Sequence, residues 1–184
     1  MKANGQAGAG SSALIRLRTQ LDCLGLLLEV PAEAMERQPA PGKWSARENL
    51  AHLARYHEVF RSRLEKMLLE DRPELPRYRA EDDAEWPRWQ ALPLLEILGR
   101  MQAARAELVE FVGALSPEQW KRVGVHSKFG AMSVELWIEF FLLHEAHHLY
   151  VVLGRAREGQ ERHQSVTAEG GCATKVKPGR ERPG

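Results

Sequence analysis

The chain has 184 residues, of which 43% are hydrophobic and 28% are charged. This length and composition fit one globular domain with its own hydrophobic core. The formal net charge of +1 provides no general basic field, so neither nucleic acid nor a membrane surface is expected as a direct partner.

The cysteine content, the first residues and the lengths of the apolar runs predict the cellular compartment of the protein. Cys23 and Cys172 are too few and too far apart for a disulfide framework or a cysteine zinc site. The first residues lack the apolar run of a signal peptide, and no apolar run reaches the length of a membrane span. These features predict a cytoplasmic protein.

Both ends of the chain are rich in Gly, Pro, Ser and charged residues. Segments of this composition bury too little apolar surface to offset their ordering entropy. We therefore expect a flexible N-terminus over residues 1–11, one domain over residues 12–159, and a disordered polar tail over residues 160–184.

Within the domain, apolar residues recur at three- and four-residue steps in four stretches, which predicts four helices. The first ends near Val30-Pro31, and the second runs from the capping box of Ser45 and Glu48 to about Glu70. The apolar stripe of the first helix comprises Leu14, Leu17, Leu21, Leu24 and Leu28.

The connection DRPELPRYRAEDDAEWPRW separates the second helix from a third, which carries Leu95, Leu98, Leu108 and Val112. Ser116 and Pro117 predict a short extra turn. Ser133 is a candidate N-cap for a fourth helix that ends near Arg157. No stretch alternates with period two, so no sheet of any size is expected. The pattern predicts an all-α protein, a four-helix bundle.

The fourth helix contains FFLLHEAHHLYVVLG, in which His144, Glu145 and His148 form the H-E-x-x-H pattern of zinc peptidases. Both histidines face an apolar side of the helix. Two buried imidazoles need two polar partners, and one metal ion satisfies both, so a metal site is expected. For a third ligand, the second helix offers His52 at the edge of its apolar stripe and His57 nearer the middle. Periodicity alone would not select His52.

The stretches PAPGKWSARENLAHLARYHEVF and HEAHHLYVVLGRAREG resemble the DinB superfamily of bacterial proteins, the DinB/YfiT-like proteins. The turn LSPEQW and the segment GAMS are also similar, so the resemblance extends from Leu14 to Gly159. It implies a four-helix bundle that forms a homodimer and holds a divalent metal, zinc or nickel. The ligands that it implies are His52, His144 and His148, whereas His57 and His147 lie outside the pattern.

The resemblance also implies a function. It favours a metal-dependent S-transferase or hydrolase that acts on a small molecule, with a low-molecular-weight thiol such as bacillithiol or mycothiol as a further cofactor. The alternative is a non-enzymatic metal-binding dimer induced by damage or stress. A peptidase ranks third, because no sheet is predicted to hold a peptide. Glu145 is then a carboxylate on the helix surface, a group that orients an imidazole, or a catalytic base.

Several other residues have two interpretations. Trp44 is interpreted as packing at the start of the second helix, while Tyr56 and Trp137 are candidates to line the metal pocket. Arg55 and Arg63 either attract an anionic thiol or belong to a solvated basic face. A second apolar stripe on the fourth helix predicts the homodimer interface, unless the long connection covers it. This stripe comprises Leu142, Ala146, Leu149 and Leu153.

Overall fold

The structure is a computed structural model that describes residues 7–170, with side chains described for residues 12–161. The helices are α1 (Ala7–Thr19), α2 (Leu24–Leu27), α3 (Ala32–Glu36), α4 (Ala46–Leu69), α5 (Trp86–Gln90), α6 (Leu94–Gly113), α7 (Pro117–Trp120) and α8 (Val134–Gly170). Two 3₁₀ helices cover Gln20–Cys23 and Ala80–Asp82, and three strands are β1 (Glu74–Leu75), β2 (Val123–His126) and β3 (Gly130–Ser133). The long helices α1, α4, α6 and α8 form the predicted four-helix bundle.

The predicted helix starts are confirmed by their capping bonds. The Ser45 hydroxyl accepts from the backbone N–H of Glu48 at 3.1 Å, and the Glu48 carboxylate accepts from the backbone N–H of Ser45 at 2.7 Å. Ser116 caps α7 in the same way. The Ser133 hydroxyl accepts from the backbone N–H of Leu136 at 3.2 Å, which caps α8.

The first predicted helix is interrupted. α1 ends at Thr19, and a 3₁₀ turn follows that brings Gln20 against α8. The Gln20 amide donates to the backbone oxygen of Leu142 at 3.0 Å and to the Glu145 carboxylate at 2.8 Å. The change from α-helical to 3₁₀ geometry places the Gln20 amide where it can donate to these two acceptors. Sequence periodicity does not show this change.

The expectation that no sheet forms is wrong in detail, because three short strands pair in the order β1-β2-β3. β1 runs parallel to β2, and β2 and β3 form an antiparallel hairpin. Strands of two to four residues are too short for a visible alternation. The sheet lies at one end of the bundle and leads directly into α8.

The ends of the helices also differ from expectation. α1 begins at Ala7, inside the segment expected to be flexible. α8 continues past Arg157 to Gly170, into the segment expected to be the polar tail. Residues 1–6 and 171–184 lie outside the described residues, and the domain limits stay predictions. No helix in the described part of the chain is long and apolar enough to cross a membrane.

The apolar stripe that was expected to form a dimer interface is covered in part within one chain. Leu142 is 1% exposed and belongs to the same core cluster as Leu17 of α1. Leu149 is 6% exposed and clusters with Leu24 of α2 and Met35 of α3. The segment from α1 to α3 therefore takes up the Leu142 and Leu149 part of the predicted interface, whereas Ala146 and Leu153 stay exposed.

Candidate metal centre

The helices α4 and α8 bring the three predicted ligands together. His144 and His148 lie one turn apart in α8, and His52 faces them from α4. One ring nitrogen from each lies within 4.8 Å of the others, and the Nε2 atoms of His52 and His144 are 3.3 Å apart. The ring centroid of His148 lies 4.5 Å from that of His52 and 4.6 Å from that of His144. This is a donor set that suits one divalent ion with a position left open.

The protonation state of the three imidazoles fits a metal site. Burial lowers the pKa of His52 to about 3, with the neighbouring His144 as the next cause. Burial likewise lowers the pKa of His144 to about 4, with His147 as the next cause. Burial lowers the pKa of His148 to about 2, with His52 as the next cause. All three rings are therefore neutral at pH 7, the form in which histidine binds metals.

Asn49, which the sequence did not single out, fixes one of these rings. His148 Nδ1 lies 2.9 Å from the Asn49 side-chain oxygen, and the Asn49 amide donates to the backbone oxygen of Ser45 at 2.8 Å. Because amide oxygens only accept, the His148 proton is on Nδ1 and the Nε2 lone pair faces the cluster. The available signal was a polar residue on the apolar side of α4, one turn before His52.

The other two rings have no such support. The Nδ1 atoms of His52 and His144 are buried without a hydrogen-bond partner among the described residues. Among the three clustered histidines, only His148 has its Nδ1 bonded to another described side chain. Within the described part of the chain, Asn49 is thus the one group outside the cluster that orients a candidate ligand through a hydrogen bond.

Aromatic side chains surround the three histidines. The Trp44 and Tyr78 rings lie 5.0 Å and 5.8 Å from the His52 ring. The Tyr56 ring lies 4.5 Å from the His144 ring. Trp44 thus does more than pack at the helix start, and the prediction that Tyr56 lines the pocket is confirmed.

The prediction that Trp137 lines the pocket is wrong. Its side chain is fully buried, and it does not contribute to the pocket wall. It lies behind Phe140, with ring centroids 5.9 Å apart, and Phe140 takes the wall position instead. Phe140 lies one helical turn before His144, so it presents its ring on the same side of α8.

The histidines lie in a cavity of about 670 Å³ between α4, α8, the hairpin and the connection before α5. The connection therefore covers the site, which the sequence did not indicate. The wall includes the aromatic residues Trp44, Tyr56, Tyr78, Phe129 and Phe140, and the charged or titratable residues Arg63, Arg77, Arg79, Glu81, His126 and Lys128.

Glu145 lies away from the three histidines, although it is part of the H-E-x-x-H pattern. It is fully buried, so the expectation of a surface carboxylate is wrong. It forms an ion pair with Arg105 of α6 and accepts from Gln20 at 2.8 Å. Burial raises the pKa of Glu145, while Arg105 and Gln20 act in the opposite direction. Its carboxylate also lies 3.3 Å from His57 Nε2, and these described contacts direct it away from the three clustered imidazoles.

His57 belongs to the same buried cluster as Glu145. Its Nδ1 donates to the backbone oxygen of Leu53 at 2.8 Å, and its Nε2 accepts from Arg105 at 3.1 Å. Burial lowers the pKa of His57 to about 3, with Arg105 as the next cause. His57 is therefore a satisfied core histidine and is not part of the three-histidine cluster.

His147 and Arg55 also lie outside the three-histidine cluster. His147 is exposed, with its ring centroid 5.3 Å from that of His148. Arg55 forms ion pairs with Asp83 at 2.7 Å and with Glu58 at 2.7 Å and does not line the cavity. Its first ion pair attaches the connection to α4, so Arg55 holds the wall in place and does not face a ligand.

The chain is similar to proteins that are described as metal-dependent hydrolases. The Oceanobacillus iheyensis protein OB0782, provisionally named a metal-dependent hydrolase, is 26% identical over 125 residues, which is 67% of this chain and 71% of that protein. YfiT from Bacillus subtilis, described as a probable metal-dependent hydrolase with an unusual four-helix bundle topology, superposes with a TM-score of 0.72. At 18% identity, with 86% of this chain and 91% of YfiT covered, that likeness shows the fold alone.

A second solved structure has the same architecture. TT2238, a four-helix bundle protein, matches with a TM-score of 0.57 and 25% identity, covering 79% of this chain and 98% of TT2238. The sequence profile of the DinB superfamily matches residues 17–152, which include all three clustered histidines. The chain belongs to the DinB superfamily.

Proposed function

We propose that this protein is a metal-dependent hydrolase of small molecules, with zinc or nickel held by His52, His144 and His148. The observation that carries the proposal is the convergence of three neutral imidazoles within one cavity. The names given to OB0782 and YfiT support hydrolysis as the reaction. The burial of Glu145 and its pairing with Arg105 argue against a peptidase of the H-E-x-x-H type.

A divalent ion held by three neutral imidazoles keeps its full positive charge, which lowers the pKa of a coordinated water or thiol and polarises a substrate oxygen. The protein supplies the geometry for this chemistry. Asn49 holds His148 Nδ1–H, so the Nε2 lone pair of His148 stays directed at the cluster. Trp44, Tyr56 and Tyr78 place aromatic rings next to the histidines, and a wall of this kind strengthens electrostatic interactions when a substrate closes the cavity.

Thiol-dependent transfer is the second candidate, and the size of the cavity leaves room for it. About 670 Å³ lies in the middle of the range for sites that bury a drug-sized ligand. Such a volume accommodates a low-molecular-weight thiol of the bacillithiol or mycothiol type next to a small electrophile. In this candidate the same three histidines hold the metal, and the thiol takes the place of water as nucleophile.

The test is an activity screen of the purified full-length chain loaded with zinc or with nickel. Esters, amides and alkyl electrophiles are offered, each with and without bacillithiol or mycothiol, and His148→Ala is the matched control. Turnover that needs the metal and is lost in His148→Ala supports the proposal, and a thiol requirement selects the second candidate. If the metal-loaded protein turns over no substrate, with or without a thiol, the result favours the alternative of a non-enzymatic metal-binding stress protein.

We propose further that the protein is a homodimer that uses a different face of α8 from the one expected. Leu136, Leu143 and Tyr150 recur at seven-residue steps and are 50%, 69% and 75% exposed. An apolar stripe of this kind on a surface helix is typical of an interface. Light scattering tests this point: the wild type should have the mass of a dimer and Leu143→Glu that of a monomer. A wild-type monomer contradicts the proposal.

A further inference from the structure

We propose that Arg63, Arg77 and Lys128 form an anion-binding subsite at the outer end of the cavity, which takes a phosphate or carboxylate group of the substrate. The proposal rests on the proposed function in one respect, namely that the cavity is the substrate site. It names the part of the substrate that is recognised away from the metal.

The three cations come from different parts of the fold. Arg63 lies on α4, Arg77 on the connection after β1, and Lys128 on the turn between β2 and β3. One hydrogen bond joins the segments that carry Arg77 and Lys128. The backbone N–H of Arg77 donates to the hydroxyl of Ser127, the residue before Lys128, at 3.1 Å. Residues far apart in sequence thus face one cavity, which a solvated basic face of a single helix does not explain.

None of the three cations has a carboxylate within ion-pair distance among the described residues. Arg79, which also lines the cavity, is paired with Asp82 at 3.5 Å. Glu81 is the only carboxylate among the lining residues that the structure describes. The outer end of the cavity therefore carries an excess of positive charge, while the net charge of the whole chain is +1.

His126 lies in the cavity wall near the three cations and is 4% exposed. Burial lowers the pKa of His126, and the charges of Arg63, Arg77 and Lys128 are the next causes. His126 Nδ1 accepts from the backbone N–H groups of Lys128 at 3.0 Å and Phe129 at 3.2 Å. The ring proton therefore resides on Nε2, which leaves a neutral ring with one N–H donor.

The subsite is separated from the three histidines by one aromatic residue. The Phe140 ring lies 6.3 Å from the His144 ring on one side and 5.8 Å from the His126 ring on the other. A substrate that reaches both ends has its reacting group at the histidines and its anionic group near His126. Phe140 and Phe129 then contact the apolar part of the substrate between these two ends.

The chemistry of the cations defines the ligand class. Guanidinium groups bind carboxylate and phosphate oxygens through paired N–H donors, and the ammonium of Lys128 adds a point charge. Arg63 donates to the backbone oxygen of Pro76, and Lys128 lies over the Phe129 ring, so neither partner neutralises a cation. Three cations without a carboxylate partner among the described residues match a group with two negative charges. Binding energy gained at this end of the substrate orients the reacting end.

The test is calorimetric titration of the full-length chain with inorganic phosphate and, separately, with malonate, at low ionic strength. Arg77→Gln combined with Lys128→Gln removes two exposed cations of the subsite. Arg88→Gln combined with Lys121→Gln removes the same charge from exposed positions outside the cavity. The subsite variant should bind the better anion about tenfold more weakly, as expected for two partly exposed contacts. The control should bind it as the wild type does.

Equal weakening in both variants, or no anion binding by the wild type, overturns the proposal. Titration of His148→Ala separates the subsite from a metal, because anion binding that vanishes in His148→Ala belongs to the metal and also overturns it. Anion binding through Arg77 and Lys128 in a wild type that takes up no metal supports the subsite and contradicts the proposed function. The tighter of the two anions identifies the substrate group.

Discussion

His148 donates its Nδ1 proton to the side-chain oxygen of Asn49, at a distance of 2.9 Å between the two atoms. The Asn49 amide is itself held by the backbone oxygen of Ser45, at the capping box that starts α4. A local sequence feature, the helix N-terminus, thereby sets the orientation of a candidate metal ligand on another helix.

Asn49→Ala should lower the affinity for zinc about 10- to 100-fold, because partners that orient a metal ligand typically have this effect. Asn49→Asp, which keeps an acceptor for His148 Nδ1–H, should recover most of the affinity. Competition with a chromophoric chelator measures both. Equal affinity in Asn49→Ala and the wild type contradicts the role given to Asn49.

Glu145→Gln tests whether Glu145 is structural. Leaving Arg105 as a buried cation without its counter-ion should lower the free energy of unfolding by roughly 3 kcal/mol. The zinc content should not change, because Glu145 has no contact with the three histidines. Urea unfolding and elemental analysis provide the two readouts.

Glu139→Gln is the matched control for Glu145→Gln. Glu139 also lies on α8 and pairs with an arginine, Arg16, but this pair is partly exposed, at 33% and 40%. Its loss should lower the free energy of unfolding by less than about 1 kcal/mol. A Glu145→Gln variant as stable as Glu139→Gln rules out the structural account of Glu145.

The sequence predicted the bundle, its helix caps and the three clustered histidines, the last with the help of a family resemblance. Periodicity alone could not choose between His52 and His57, because a helical wheel describes one helix and not its neighbours. Arg105 of α6 and Glu145 of α8 occupy the space around His57 and leave His52 to face α8. These contacts are tertiary, so no local pattern contains them.

The errors of prediction have similar causes. Leu142 and Leu149 were expected to be exposed because a four-helix bundle needs only one apolar face on each helix for its core. The 3₁₀ turn after Thr19 and the short helices that follow cover them instead. Asn49 and Trp44 were missed as site residues because their roles depend on α8, which is distant in sequence.

Acid should destabilise the metal-free protein. The pKa values of His52 and His57 are lowered to about 3, so in the folded state both rings stay neutral while the unfolded chain binds protons below pH 6.5. The stability is complete above pH 6.5 and is lost as the pH falls toward 3. Each of these histidines should lower the free energy of unfolding by about 1.4 kcal/mol between pH 7.5 and 5.5.

Urea unfolding with a chelator present at both pH values measures this loss. A free energy of unfolding that is equal at pH 7.5 and pH 5.5 contradicts the assignment of neutral buried histidines.

Two glycines of α8 should respond in opposite ways to alanine. A Cβ atom at Gly159 would lie 2.8 Å from the backbone of Ala34, whereas Gly154 has open space around it. Gly159→Ala should force α3 away from α8 and destabilise the protein by about 1–3 kcal/mol. Gly154→Ala should stabilise it by up to about 1 kcal/mol, since alanine has the higher helix propensity. Urea unfolding of both variants is the measurement, and destabilisation by Gly154→Ala would show that the effect is not specific to the contact with Ala34.

The metal content of three variants tests the central claim most directly. Wild type, His52→Ala, His148→Ala and His147→Ala are loaded with zinc or nickel, dialysed and measured by elemental analysis. We predict one ion for each wild-type chain, the same for His147→Ala, and almost none for His52→Ala and His148→Ala, because each of the latter leaves only two ligands. Full metal content in His52→Ala or His148→Ala, or no metal in the wild type, contradicts the assignment of the three-histidine site.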